Sequence, residues 1–276
     1  MVTECTKFAS RFTFFFYMRL AMPLYVRRST AIISASDYST KGFLQYLPGS
    51  TGKIKTIHYA PKGIFKPVTD PAVLDRVKKK YSLPEHFIFT AIHYDTGRKN
   101  FANMLRAFRK ARATGIPHHF IVCGREVERY ASESPFRDMA DDHSVVFKGW
   151  VEQEDLPAMY NLASLYLYPT RLEGFPIPVS EALASGCPII TSDQGVFPEV
   201  AGDAARYVNP ESPDEIAAAI CDVVGNPALR EGMKQRGLVQ AKNFTYEKCA
   251  RATLELFESL DCSQRVPSFA SVIPKS

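Results

Sequence analysis

Two glutamates, Glu173 and Glu181, bracket the stretch Glu-Gly-Phe-Pro-Ile-Pro-Val-Ser-Glu, in which a loop turns and a helix starts near Pro176–Pro178. Gly174 lets the backbone approach a ligand closely. The first helical turn offers free N–H groups and the positive end of the dipole, which together make an anion site. With Glu173 in the loop and Glu181 one turn inside the helix, both carboxylates can reach a ligand whose phosphate caps that helix. The spacing alone is weak in a chain with 29 acids. The plain alternative is a solvated loop residue and an exposed helical one. A second cluster is Arg98-Lys99-Asn100. Asn100 reads as the cap of a helix over 101–113, and cations at a helix amino end cost about 0.3–1 kcal/mol each. Two of them there predict an arriving anion such as a diphosphate, held by charge-assisted hydrogen bonds. The alternative is a pair of solvated loop cations, and His93 reads equally as a satisfied strand-end residue or a ligand.

These residues need a scaffold, and from about residue 70 the pattern provides one. Asp70-Pro71 opens a helix ending at Lys78-Lys79-Lys80. Apolar runs predict strands at 86–93, 119–123, 144–148, 164–168 and 188–191. Between them lie helices over 101–113, 153–162 and about 178–185, the last stopped by Gly186. Ser212-Pro213-Asp214-Glu215 is a capping box closed by Gly225, Asn226-Pro227 caps another helix, and an amphipathic helix covers about 246–260. Short apolar strands alternating with helices predict an α/β fold with a doubly wound, Rossmann-like parallel sheet, whose ligands sit outside the carboxyl ends of the strands. The divisions are 1–66, the tail end of another domain with its linker; 67–245, a nucleotide-type sheet domain; 246–262, a carboxyl-terminal helix; and 263–276, a loose tail. Residues 1–66 offer an aromatic helix (Phe8–Val26), a strand (Thr30–Ser34) and a helix from Ser36 to about Leu47.

Composition narrows the class. The 276 residues are 46% hydrophobic and 23% charged, which excludes a disordered or collagen-like chain. No apolar run reaches the roughly 18–20 residues of a membrane-spanning helix. The six cysteines and six histidines lack zinc-ligand spacing, so reduced thiols and no metal are expected. The net charge of +5 is uneven: residues 1–66 hold ten Lys/Arg against Glu4 and Asp37. No motif accompanies that excess, so no nucleic-acid partner is expected.

The run EGFPIPVSEALASGCPIITSD (173–193) resembles the donor-binding signature of glycosyltransferase family 4, retaining enzymes built from two facing Rossmann-like domains, the GT-B fold. GWVEQEDLPAMYNLASLYLYPT (149–170) and FPEVAGDAARYVNPESPDEIAAAI (197–220) resemble the flanking family segments. The likeness runs in order from about Ser29 to Phe257. It implies that residues 67–245 are the carboxyl-terminal, sugar-nucleotide half of such an enzyme, with residues 1–66 a remnant of the acceptor-side domain.

The resemblance implies roles as well. Glu173 faces the donor sugar and Glu181 holds the ribose hydroxyls. Amides of Gly174, Phe175 and Ile177 receive the sugar and pyrophosphate, Gly149 to Val151 meet the base, and Lys99, with Arg98, stabilises the diphosphate. His93 and Tyr94 stand where the family usually has a second basic residue. The Asp-x-Asp metal motif of the other major glycosyltransferase fold is absent, which fits a site using no metal or cofactor beyond its GDP- or UDP-linked substrate. The implied reaction is transfer of a hexose, mannose or glucose in type, to a glycan or lipid-linked acceptor in cytoplasmic polysaccharide biosynthesis. The alternative is a non-catalytic or degenerate sugar-nucleotide-binding module; a GT-B epimerase is a third. The basic, aromatic segment 8–28 reads either as an interfacial helix on anionic lipid at the inner face of a membrane or as a core helix lacking its partners.

Overall fold

The amino-terminal segment builds a small layer of its own. A π-helical turn (Tyr17–Ala21) leads into α1 (Met22–Arg28), then β1 (Ile32–Ser34), α2 (Asp37–Tyr46) and β2 (Ile54–Thr56). This is a computed structural model that describes residues 17–93, 97–129 and 143–260. The expected aromatic helix over 8–26 lies partly outside those residues. Its described end is the π-turn and α1, which carries on to Arg28. Strand β2 was not expected: Ile54-Lys55-Thr56 is too short and too basic to signal a strand. It forms because β1 pairs with it in parallel, Ile32 opposite Ile54 and Ser34 opposite Thr56.

Beyond α3 (Pro71–Lys80) the expected alternation unfolds: β3 (Phe87–Ala91), α4 (Phe101–Ala113), β4 (His119–Cys123), β5 (Val145–Gly149), α5 (Leu156–Leu162), β6 (Leu165–Tyr168), α6 (Ile177–Ser185) and β7 (Ile189–Ser192). Then come α7 (Phe197–Ala201), β8 (Ala205–Val208), α8 (Pro213–Gly225), α9 (Pro227–Ala241) and α10 (Tyr246–Ser259). Neither α7 nor β8 was expected, because Phe-Pro-Glu-Val-Ala is one turn long and Ala-Arg-Tyr-Val is half polar. Tertiary pairing creates both, with Ile189 of β7 opposite Ala205 of β8.

The six strands form one parallel sheet in the order β5-β4-β3-β6-β7-β8. Strands β6 and β7 are buried throughout, as strands covered on both faces must be. The chain first winds outward from β3 through β4 to β5, then restarts at β6 on the other side and winds through β7 to β8. The order therefore reverses between β3 and β6. In open α/β sheets that reversal leaves a crevice at the carboxyl ends of the strands, because the flanking connections part to opposite faces.

Several caps follow the sequence closely. Asp70 accepts from the Ala72 amide, Ser212 from Glu215 and Asn226 from Leu229, and the structure adds Thr245, which accepts from Lys248. Asn100 does not act as expected. It sits at the α4 start with φ +59, and its side chain makes no capping bond. Its amide instead donates to the Pro169 and Pro210 carbonyls at 2.8 and 2.7 Å, tying α4 to the loops after β6 and β8. At 1% exposure its N–H groups need acceptors, which the two loop carbonyls supply, while Oδ1, the atom a cap would use, is buried with no hydrogen-bond partner among the described residues.

Candidate functional site

The crevice between β3 and β6 is a cleft of about 330 Å³. Its walls come from the end of β3 (Ala91, Ile92, His93), the end of β4 (Cys123, Gly124), the segment after β5 (Trp150, Val151), and Tyr168, Glu173, Phe175 and Ile177 around the start of α6. Lys99 enters from the loop before α4.

Glu173 is the hub of this wall. Its Oε1 accepts from Lys99 Nζ at 2.7 Å and from the Tyr168 hydroxyl at 3.0 Å, and its Oε2 accepts from Arg98 at 2.8 Å. Lys99 also donates to the Tyr168 oxygen at 2.9 Å, and its ammonium lies 5.3 Å from that ring's centroid. The Glu173 and Lys99 side chains are only 12% and 11% exposed, while Arg98 is 45% exposed. The anion expected at the α4 amino end is therefore present within the chain, in the form of Glu173. Neither the solvated-loop reading of Glu173 nor that of Lys99 survives this geometry. Burial pushes the Tyr168 hydroxyl well above its ordinary range, so it remains a proton donor.

Glu181 stands one turn further along α6, outside the cleft lining. The Tyr160 hydroxyl donates to its Oε2 at 3.2 Å. Burial pushes its carboxyl up to about 7, against the Tyr160 hydrogen bond and the Lys62 charge, which both lower it. The two carboxylates thus differ: one is held by two cations, the other is poised near neutrality. Three tyrosines link their surroundings through the core, with Tyr160–Tyr166 and Tyr166–Tyr168 ring centroids 5.0 and 5.6 Å apart.

The loop before α6 also touches the amino-terminal segment. The Gly174 carbonyl accepts from the Ser36 and Ser39 hydroxyls at 2.7 and 3.2 Å, and Phe175 packs against the rings of His58, Tyr59 and Phe244. Glu199 of α7 closes the same contact. It accepts from the Asp37 and Tyr38 amides at 2.8 and 3.0 Å, and its Oε1 lies 2.6 Å from His58 Nε2. Asp37, His58 and Glu199 bring ligand atoms within 4.8 Å of one another, a set that could hold a metal. Glu199 already spends both oxygens on those bonds.

A second cavity, about 410 Å³, adjoins the cleft and shares His93 and Trp150 with it. Among the described residues, Arg125 and Glu126 line it too. Gly149 ends β5 behind it with φ +59, and its carbonyl accepts from the Gly124 amide at 2.7 Å. Val151 is 4% exposed and presents its side chain to the cleft. Of the expected residues, Lys99, Val151, Glu173, Phe175 and Ile177 converge on the cleft, and Arg98 joins through Glu173. Gly149 and Gly174 are not part of its lining, and Tyr94 falls outside the described residues. Sequence reasoning missed Tyr168 and Arg125, and it included Trp150 only as part of the span 149–151, with no role of its own. Tyr168 carried a signal, a tyrosine at the carboxyl end of a buried strand, where sheet ligands gather.

Known proteins resemble this chain in sequence and in fold. The sequence profile described as "Glycosyl transferases group 1" matches residues 75–240. The chain is 29% identical over 255 residues to the O-antigen chain mannosyltransferase B of Escherichia coli, covering 88% of this chain and 64% of that protein. It is 26% identical over 239 residues to the serotype-specific mannosyltransferase WbdA of Escherichia coli, covering 84% of this chain and 29% of that one. The chain thus spans less than two thirds of the length of these relatives. Among solved structures it resembles Anabaena Alr3699/HepE in complex with UDP and glucose, with a TM-score of 0.77, 18% identity, and coverage of 88% and 67% of the two chains. A glycosyltransferase from Rickettsia africae matches with a TM-score of 0.75 at 14% identity, covering 87% and 66%. No helix among the described residues is long and apolar enough to cross a membrane.

Proposed function

The chain belongs to the glycosyl transferases of group 1, and from that premise we propose that it forms the donor-binding half of a retaining hexosyltransferase. Its donor is a nucleotide-linked hexose, with mannose favoured over glucose by the names of the relatives. Its acceptor is a glycan or lipid-linked sugar. The observation that carries this reading is Glu173, held by Lys99, Arg98 and Tyr168 at the carboxyl ends of β3 and β6, beside the start of α6.

In this reading the diphosphate enters between Lys99 and the α6 amino end. Lys99, with Arg98 behind it, takes up the charge that develops on the leaving diphosphate. As the phosphates draw the cations, Glu173 is released to accept from the sugar hydroxyls, and Glu181 accepts from the ribose hydroxyls. The site supplies its positive charge from side chains and helix amides, so no divalent ion is assigned a step.

Calorimetric titration of the chain with nucleoside diphosphates tests the reading. Lys99→Ala should weaken binding about 10- to 100-fold, the worth of one charge-assisted hydrogen bond of ~1.5–3 kcal/mol. Arg98→Ala, at a more exposed position, should weaken it less. A folded chain that binds no nucleoside diphosphate overturns the reading. Binding without transfer, in the presence of acceptor and a complete amino-terminal domain, would favour a non-catalytic binding module.

A further inference from the structure

We propose that Arg125 and Trp150 read the nucleobase and select guanine, so that the donor is a guanosine-diphosphate sugar; this rests on the proposed nucleotide-sugar site and names its base. Trp150 is the only tryptophan of the chain, and it is 56% exposed at the boundary of the cleft and the adjoining cavity. An indole left this open at a site wall is a stacking platform in search of a flat partner. At present that partner is Arg125, whose guanidinium carbon lies 5.2 Å from the ring centroid.

Arg125 has donors to spend. Among the described residues no carboxylate pairs with it, and the nearest in sequence, Glu126, is bonded through Oε2 to Arg129 at 2.8 Å. The loop that launches it is tightly held. Gly124 has φ +137, and a Cβ there would sit 1.7 Å from the Ile92 carbonyl oxygen. Its amide is fastened to the Gly149 carbonyl at the start of the Trp150 segment. Glu126 is held at φ +57, in the left-handed region that a non-glycine residue seldom adopts. The ends of β4 and β5 thus fix a planar cation beside an indole at the mouth of the cleft.

A guanidinium fork matches two adjacent acceptors in one plane. Guanine presents that pair as O6 and N7. Adenine presents N7 beside an amino donor, which opposes the fork, and a uracil-type edge presents a single oxygen. A base sliding onto Trp150 therefore keeps Arg125 in the ring plane only if it is guanine. A bidentate contact of this kind discriminates by roughly 5- to 150-fold.

Trp150 fluorescence provides the readout, with GDP, inosine diphosphate, 7-deaza-GDP, UDP and ADP as probes on the full chain. GDP should quench at the lowest concentration. Inosine diphosphate, which keeps O6 and N7, should match it within about 2-fold, and 7-deaza-GDP, which loses N7, should fall toward UDP. Arg125→Ala should abolish the preference for GDP while leaving UDP binding unchanged, with circular dichroism confirming that the variant folds. Equal GDP and UDP affinities, or a preference for UDP or ADP, overturn the proposal and leave the nucleotide-sugar reading standing. A uniform loss with all five probes in Arg125→Ala also overturns it, since Arg125 would then act on the phosphates. Binding of none of them by the folded chain removes the function reading itself.

Discussion

At Glu173 two cations and a phenol converge on one carboxylate, and these are the charges that the proposed diphosphate would rearrange. Tyr168→Phe deletes only the hydroxyl that touches both Lys99 and Glu173 and leaves the buried ring in place. Losing one hydrogen bond of about 1 kcal/mol should weaken diphosphate binding about 5-fold by calorimetry. Glu181 predicts a pH dependence. Its carboxyl is raised from an ordinary 4.5 to about 7, with burial as the main cause. Between those values the folded chain keeps a proton that the unfolded chain has lost. Stability should therefore fall as pH rises through that window, and the loss should be complete above it. Glu181→Gln should remove this slope in urea melts at pH 5 and pH 8. The same substitution should remove a rise in nucleotide affinity between pH 6 and pH 8, because only the ionised carboxylate accepts from both ribose hydroxyls.

Among the elements, the β4 end and the α3–α5 pair carry the clearest demands. At Gly124 the positive φ and the Ile92 carbonyl leave no room for any side chain. Gly124→Ala should cost more than about 2 kcal/mol in chemical denaturation, combining strain with a backbone clash. Asp155, before α5, is 2% exposed and accepts from Arg76 at 2.8 Å, Lys80 at 2.7 Å and the Tyr81 hydroxyl at 3.0 Å. Burial pushes its carboxyl up, yet these three bonds outweigh burial and leave it below its ordinary range. Its contribution is present above the unfolded carboxylate pKa and is lost as pH falls through the lowered folded value. Asp155→Asn should lower Tm at neutral pH by several degrees, and the difference from the parent should shrink toward pH 2.

On the scale of the whole molecule, the amino-terminal layer is fastened to the sheet domain at the loop before α6 and at α7. Glu199 occupies the α2 amides, and Ser36 and Ser39 hold the Gly174 carbonyl. Glu199→Ala should raise hydrogen exchange at the Asp37 and Tyr38 amides while β3, β6 and β7 stay protected. Unchanged exchange would show that the serines suffice. Elsewhere this layer leaves Leu20, Leu24, Tyr25 and Ile33 exposed, as does α10 with Leu254 and Phe257.

The sequence by itself determined the alternation of strands and helices, the capping residues Asp70, Ser212 and Asn226, and the loop-to-helix turn carrying Glu173. Each depends on local periodicity or on a side chain bonding its own backbone within a few residues. Tertiary structure decided which strands pair, and so where the sheet reverses and which loops meet there. It alone made β2 and β8 strands and turned the Asn100 amide from its helix to two carbonyls more than sixty residues away. It also joined Lys99 to Glu173 across seventy-four positions, an ion pair that no window of sequence contains. Pairing energies of that kind exist only once the crevice between β3 and β6 has brought the two loops together and excluded most of the water between them.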